Sequence, residues 1–180
     1  MIIGVASKSS GFSMIEVLIS LLVIAVGVLG MVGLQSKAIT YTQDSVQRNT
    51  AIMLADDLLE LIRSSNYDTS VDIKNFQKAP GASFPAAPTT CIPTPTGIKN
   101  RLGCWAAQAA TALPGAADLL TSTFYVCWST SPDDAATSCG TGKEIEIKIA
   151  WTVVKPGDCM DSETNTTPST TCTYKVRTRL

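Results

Sequence analysis

The sequence contains no histidine among its 180 residues. Histidine is the side chain that most often changes charge near neutral pH, and it is the commonest metal ligand in proteins. The sequence also lacks a Cys-x-x-Cys pair and a glycine loop of the phosphate-binding type. These absences disfavour histidine-dependent hydrolases, zinc enzymes, thiol oxidoreductases and nucleotide-binding enzymes. We therefore expect no catalytic residues, no cofactor and no metal, and we predict that the protein is not an enzyme.

Charged residues are also scarce, at 16% of the chain with a formal net charge of −1. Such a chain has no overall electrostatic attraction for nucleic acid or for anionic lipid. Lys175, Arg177 and Arg179 could contact DNA phosphates, but a solvated strand face is the favoured interpretation, so nucleic acid is an unlikely partner. One polar loop carries several oxygen-bearing side chains that could bind calcium. Their spacing does not match an EF-hand, so calcium binding is only a minor alternative. These side chains belong to Asp158, Asp161, Glu163 and Asn165.

An uncharged apolar run occupies residues 17–34 near the N-terminus. As a helix it is about 27 Å long, close to the roughly 30 Å thickness of a hydrocarbon core. It contains no proline, but Gly27, Gly30 and Gly33 lie within it and could either soften the helix or let neighbouring helices pack closely. Three interpretations of this segment compete. It could be a cleaved secretory signal, a plain membrane anchor, or the retained part of a signal that is cut before the apolar run.

Glu16 favours the third interpretation, because it is the only charge between Lys8 and Lys37. A carboxylate at membrane depth costs a few kcal/mol and usually has a function. A discarded signal or a plain anchor would have no use for it.

The helix is predicted to continue to residues 64–66, because residues 36–65 contain neither proline nor glycine. Ile52, Ala55, Leu59 and Ile62 recur at helical spacing and form one apolar face, while Asp44 is expected to lie off that face. The second half of the helix should therefore carry a packed domain.

The remainder of the chain predicts a proline-rich loop region followed by strands. Residues 66–123 are expected to be mostly loop, with a short helix within 104–113, and the strands are predicted at 124–129, 144–154 and 174–180. The last two segments alternate apolar and polar residues, which suits an antiparallel sheet with one buried and one wet face. We expect the last two strands to be antiparallel neighbours, with Glu144 or Glu146 near Arg177 or Arg179. The predicted fold class is α+β, with the amphipathic half of a long N-terminal helix packed on a small antiparallel sheet.

Six cysteines in the polar C-terminal part indicate an oxidising compartment and a disulfide framework. Six cysteines allow 15 connectivities, and sequence alone does not choose among them. We predict sequential pairing because each bond would then close one local loop. The predicted pairs are Cys91–Cys104, Cys127–Cys139 and Cys159–Cys172.

Residues 11–16, Gly-Phe-Ser-Met-Ile-Glu, followed by the apolar run, resemble the class III signal of type IV prepilins. The resemblance implies that a prepilin peptidase cuts after Gly11 and methylates Phe12, and that Glu16 serves assembly by pairing with an N-terminal amine. A place for Glu16 in the lipid headgroup region is the alternative. The resemblance also implies the same fold of a long helix on a small sheet. Residues 28–35 and 55–63 are similar to PilV-type minor pilins.

The same resemblance implies an organisation and a set of partners. Residues 1–11 would be a leader, 12–35 a transmembrane and filament-core segment, 36–65 an amphipathic segment and 66–180 a disulfide-bonded periplasmic head. The partners would be the prepilin peptidase, the inner-membrane assembly platform, other minor pilins and the major pilin. The protein would be stored in the bacterial inner membrane as a single-pass protein and then enter a surface pilus, with roles in assembly, adhesion and twitching motility. The alternatives are a pseudopilin of a type II secretion system, and a tip adhesin or DNA-binding pilin.

Overall fold

Among the residues that the computed structural model describes, three helices precede three strands, with a short 3-10 helix, Ile73–Phe76, between the first and second helices. The helices are α1 (Met14–Asn66), α2 (Ile98–Ala112) and α3 (Ala116–Ser122), and the strands are β1 (Tyr125–Ser129), β2 (Glu144–Thr152) and β3 (Thr171–Arg179). The structure describes residues 11–66, 73–130, 139–140, 142–156, 158–159 and 169–179.

Helix α1 is 53 residues long and ends at Asn66, inside the predicted boundary. It passes without a break through Gly27, Gly30 and Gly33, where an added Cβ would meet no atom within 4 Å. It is long and apolar enough to cross a membrane, by length and composition, and its most apolar 18-residue window is 0% buried. The chain divides into two compact units, Met1–Thr40 and Tyr41–Leu180.

In the described part of the second unit, α1, α2 and the sheet all contribute to one main core. The predicted apolar face of α1 supplies Ala55, Leu59 and Ile62, each at most 4% exposed. The expectation for Asp44 was wrong, because this side chain is only 2% exposed. Asp44 precedes the buried Ala51 by seven residues, which is about two helical turns, so both lie on the same face.

The region before the strands is more helical than the sequence predicted. A short helix was expected within residues 104–113, but α2 begins at Ile98 and has 15 residues, and the seven-residue α3 was not predicted at all. Trp105 fastens α2 to α1, because its indole nitrogen donates a hydrogen bond of 2.8 Å to the carbonyl oxygen of Leu54. An alanine-rich helix of this kind has high propensity but few large side chains, so its apolar pattern is weak.

The sheet is antiparallel with the strand order β1-β2-β3, which confirms the α+β fold class. The prediction for the last two strands is also confirmed, because Glu144 is opposite Arg179 and Glu146 is opposite Arg177. The Arg177 guanidinium donates from Nε to a Glu144 carboxylate oxygen at 2.5 Å. Strand β3 begins at Thr171, three residues before the predicted start.

The second face of the sheet is not uniformly wet, which corrects the sequence expectation. Glu146 is 4% exposed and accepts a hydrogen bond of 2.5 Å from the Tyr125 hydroxyl. Tyr125 and Cys127 form a small buried cluster on this side, against which Cys139 packs. The Cys127–Cys139 disulfide therefore helps to cover residues that strand alternation would place in water.

Candidate functional site

The predicted processing and assembly residues lie at the start of α1. Gly11, Phe12 and Ser13 precede the helix in extended or irregular backbone, and all three are exposed. The Ser13 carbonyl accepts hydrogen bonds from the amides of Glu16, at 3.0 Å, and Val17, at 3.3 Å. The structure therefore presents the predicted cleavage site as accessible, non-helical chain directly before the apolar helix.

Glu16 lies in the first turn of α1 and is exposed. The partial positive charge of a helix N-terminus favours an anion in this position. Within the parts of the chain that the structure describes, no ion pair to Glu16 is formed. The backbone carbonyl of Glu16 accepts a hydrogen bond of 2.7 Å from the Ser20 hydroxyl. This bond stabilises the first turn of the helix and does not involve the Glu16 carboxylate. The carboxylate of Glu16 is thus exposed and makes no ion pair with another described residue.

Exposed apolar side chains surround Glu16 along the first unit. Phe12 is 82% exposed, Leu18 62% and Leu22 65%. In water such a surface would be strongly unfavourable, at about 25 cal/mol per Å² of apolar area. A membrane or a packed bundle of similar helices is the environment that this surface fits.

The six cysteines form the three predicted disulfides in the second unit, and the pairing is sequential. The Cα–Cα distances are 5.7 Å for Cys91–Cys104, 4.7 Å for Cys127–Cys139 and 5.4 Å for Cys159–Cys172. The first bond holds the loop before α2 to that helix, and the third holds the segment after β2 to β3. Each cross-link restricts the unfolded chain and thereby stabilises the folded state, by about 3 kcal/mol for loops of this length.

Lys78 is a structurally important residue that the sequence analysis missed. Its side chain is buried at 3% exposure, and its ammonium donates to the carbonyls of Leu120 at 2.7 Å, Thr121 at 2.9 Å and Phe124 at 2.5 Å. The backbone of Lys78 also forms two hydrogen bonds with Val126 at the outer edge of β1. Burial lowers the pKa of the Lys78 ammonium to about 8. A lone lysine in a loop-like sequence carries no signal for this role, because its partners are backbone carbonyls more than 40 positions away.

The alternative ligand sites have less support. Asp161, Glu163 and Asn165 of the possible calcium loop lie outside the described residues, as does the rest of that loop beyond Asp158 and Cys159. Among the described residues there is no group of three or more potential metal ligands. Lys175 and Arg179 are exposed, but Arg177 is engaged by Glu144, so the three cations do not form one free phosphate-binding row.

A groove of about 600 Å³ lies between the second half of α1, α2 and the loop that contains Cys91. Its walls include Leu61, Trp105 and the Cys91–Cys104 bond, and Arg101 and Asp57 supply charges of opposite sign. Arg101 is already occupied, since its Nε donates to the Pro95 carbonyl at 3.0 Å. The polar side chains of Thr94, Gln108 and Thr111 also line the groove.

Processing is predicted to remove residues 1–11 and to leave a methylated Phe12 as the N-terminus. The accessible, non-helical chain at Gly11–Ser13 would admit a peptidase without unwinding α1. Intact-mass measurement on protein from the native host, with and without active prepilin peptidase, provides the test. A conventional secretory signal would instead be cut after the apolar run, near residues 36–38. A mature N-terminus at that position, or an uncut chain in the peptidase-positive host, would contradict the class III interpretation.

Comparison with known proteins identifies the same segment. The family model of the prokaryotic N-terminal methylation motif matches residues 6–32. No curated protein and no solved structure matches the chain significantly. The matched segment contains the glycine, the phenylalanine, Glu16 and most of the apolar run, and proteins that carry the motif are structural subunits rather than enzymes. The N-terminal methylation motif therefore indicates that this chain is of the type IV pilin or pseudopilin class, whose members are processed by a prepilin peptidase and assembled into pilus-like fibres.

Proposed function

We propose that the protein is a PilV-type minor pilin, a structural subunit that helps to initiate type IV pilus assembly and is located near the pilus tip. The observation that carries the proposal is the class III signal with Glu16, followed by one long apolar helix and a disulfide-bonded α+β head. The similarity of residues 28–35 and 55–63 to PilV-type sequences supports the narrower assignment.

The physical basis of this function is storage and polymerisation of one helix. The apolar half of α1 would hold the subunit in the inner membrane, and the same surface would pack against other pilin helices after extraction. Residues 1–11 would be the leader, 12–35 the membrane and filament segment, 36–65 the amphipathic segment and 66–180 the periplasmic head. The partners are the prepilin peptidase, the assembly platform, other minor pilins and the major pilin.

Deletion of the gene in the native host tests the proposal. We expect at least a tenfold loss of surface pili, measured as major pilin in sheared fractions, and restoration by the intact chain. We also expect the protein in those fractions to be strongly substoichiometric to the major pilin. Secretion of folded exoproteins should be unchanged. Normal piliation with lost secretion would replace the proposal by a pseudopilin of a type II secretion system.

A further inference from the structure

Two of the three disulfides are built into the interior of the head. Cys127 is 0% exposed and Cys172 is 1% exposed, and each belongs to a cluster of buried residues. Their partners, Cys139 and Cys159, are half-buried and pack against the same clusters. A reductant in solution can therefore reach these two bonds only where the protein opens.

The Cys91–Cys104 bond lies in a different environment. Cys91 is exposed, Cys104 is half-buried, and both line the groove between α1, α2 and the loop that contains Cys91. In the part of the chain that the structure describes, neither cysteine belongs to a buried cluster. Thiol–disulfide exchange requires a thiolate to reach one of the two sulfur atoms, and exposed disulfides are the labile ones in proteins. This bond is therefore the one that is open to exchange in the folded protein.

The chain on either side of residues 87–94 is fixed to α2. Before this segment, the backbone at Ala86 lies so close to α2 that a Cβ added to Gly103 would be 2.6 Å from the Ala86 carbonyl oxygen. After the segment, the Pro95 carbonyl accepts a hydrogen bond of 3.0 Å from Nε of Arg101. Both ends of the segment are thus held without the disulfide.

Between these two ends, residues 87–94 have few contacts with the rest of the head. They form no hydrogen bond or ion pair with any residue that the structure describes. All of them except the half-buried Pro88 are exposed, and Ile92 is 90% exposed. The bond from Cys91 to Cys104 is therefore the main connection that holds the middle of this segment against the helix.

We propose that the Cys91–Cys104 disulfide is a reducible latch, which a dithiol reductant of the thioredoxin-like class opens to release residues 87–94 from the wall of the groove. In the reduced protein the groove would lose the wall formed by Cys91, Ile92 and Thr94. The opposite wall would remain, because it belongs to α1 and α2 and these helices are held by the main core. The latch would thus change the shape of one surface and leave the head folded.

The exchange is a balanced two-electron reaction. A thiolate of the reductant attacks Sγ of Cys91, the bond between the two sulfurs breaks, and Cys104 leaves as a thiolate that takes up a proton. The second thiol of the reductant, as a thiolate, then attacks its own sulfur in the mixed disulfide. Cys91 leaves as a thiolate and takes up a proton, and the dithiol has become a disulfide.

Timed reduction of the native protein tests the accessibility of the bond. The full-length protein in detergent is treated with dithiothreitol, free thiols are trapped with iodoacetamide at intervals, and the labelled cysteines are found by peptide mapping. We expect Cys91 and Cys104 to be labelled at least tenfold faster than the four cysteines of the other two disulfides. Equal labelling of all six cysteines, or faster labelling of another pair, would overturn the proposal.

Limited proteolysis tests the release of the segment. In the double variant Cys91→Ser and Cys104→Ser, proteinase K is expected to cleave within residues 87–94 at least tenfold faster than in the oxidised wild type. The matched control, Thr90→Ser and Thr94→Ser, places two serines in the same segment but keeps the disulfide, and it should be cleaved like the wild type. Near-ultraviolet circular dichroism checks that each variant is folded.

Cleavage of the double variant at the wild-type rate would show that other contacts hold the segment, and the latch would be excluded. If the double variant does not fold, wild-type protein that has been selectively reduced and alkylated takes its place in the same assay. These measurements need no pilus, so neither result bears on the assembly role proposed above.

Discussion

Replacing Glu16 by valine is expected to remove the protein from sheared pili, by tenfold or more, without changing the cleavage after Gly11 or retention in the membrane. The variant lengthens the apolar run by one residue, so its anchoring should be at least as strong. The scissile chain at Gly11–Ser13 keeps its own contacts, because the Ser13 carbonyl is bonded to the backbone amides of residues 16 and 17.

The physical reason lies in the cost of an unpaired charge between apolar helices. In a fibre core the N-terminal amine of Phe12 and the carboxylate of Glu16 would each be expensive alone, and breaking a buried ion pair typically costs about 3–5 kcal/mol. Four residues correspond to about one helical turn, so the amine can belong to this chain or to a neighbour. Pairing would set the axial register of an incoming subunit, because a slip would leave both charges unmatched.

Quantitative immunoblotting of sheared pili and of membranes provides the measurement for Glu16→Val. Glu60→Val is the matched control, because Glu60 is an exposed glutamate of the same helix outside the apolar segment. It should enter pili normally. If Glu16→Val reaches pili at the wild-type level, Glu16 does not set the register, and a place in the lipid headgroup region becomes the better explanation.

Lys78→Met is expected to lower the free energy of unfolding by about 3 kcal/mol at neutral pH. The methionine retains most of the apolar stem but donates no hydrogen bond to the carbonyls of Leu120, Thr121 and Phe124. Thr121 keeps a second donor, the Gly81 amide at 2.9 Å, whereas no described backbone donor outside the regular elements replaces Lys78 at Leu120 or Phe124. Buried carbonyls that lose a partner cost about 1–3 kcal/mol each.

The difference in free energy of unfolding between wild type and Lys78→Met is measured by urea unfolding of the full-length protein in detergent, with tryptophan fluorescence as the signal. Lys99→Met serves as the control, because Lys99 is an exposed lysine of α2 and its loss should change stability by no more than about 0.5 kcal/mol. Equal midpoints for the two variants would show that the Lys78 ammonium does not hold the end of α3.

The stability of the wild type relative to Lys78→Met is also expected to change with pH in a defined direction. The pKa of Lys78 is about 8 in the folded protein, against an ordinary value of 10.5, because burial disfavours the charged form. Between these two values the unfolded chain binds more protons, so the stability of the wild type relative to Lys78→Met should rise with pH from about 8 to about 10.5. If the difference in free energy of unfolding between wild type and Lys78→Met stays constant or falls from about pH 8 to about pH 10.5, the lowered pKa of Lys78 is contradicted.

Several features could be predicted from local sequence because local physics is sufficient to produce them. The apolar run and the absence of proline and glycine in residues 36–65 determine a long helix that ends near Asn66. Nearly regular alternation in residues 144–152 and 174–179 predicts two strands and the face of each strand that joins the main core. Their complementary charges also predicted which strands are neighbours, with Glu146 opposite Arg177. The methylation signal itself is a short linear motif, so it is visible without any fold.

Other features depend on contacts between residues far apart in the chain, and only the tertiary structure decided them. Glu146 is buried because Tyr125 and the Cys127–Cys139 bond cover it, although alternation alone places it on a wet face. Lys78 is buried because its carbonyl partners on and after α3 are brought to it by folding, and no local pattern encodes that meeting. Sequence periodicity assigns a side chain to one face of an element, whereas burial depends on what the rest of the chain places over that face.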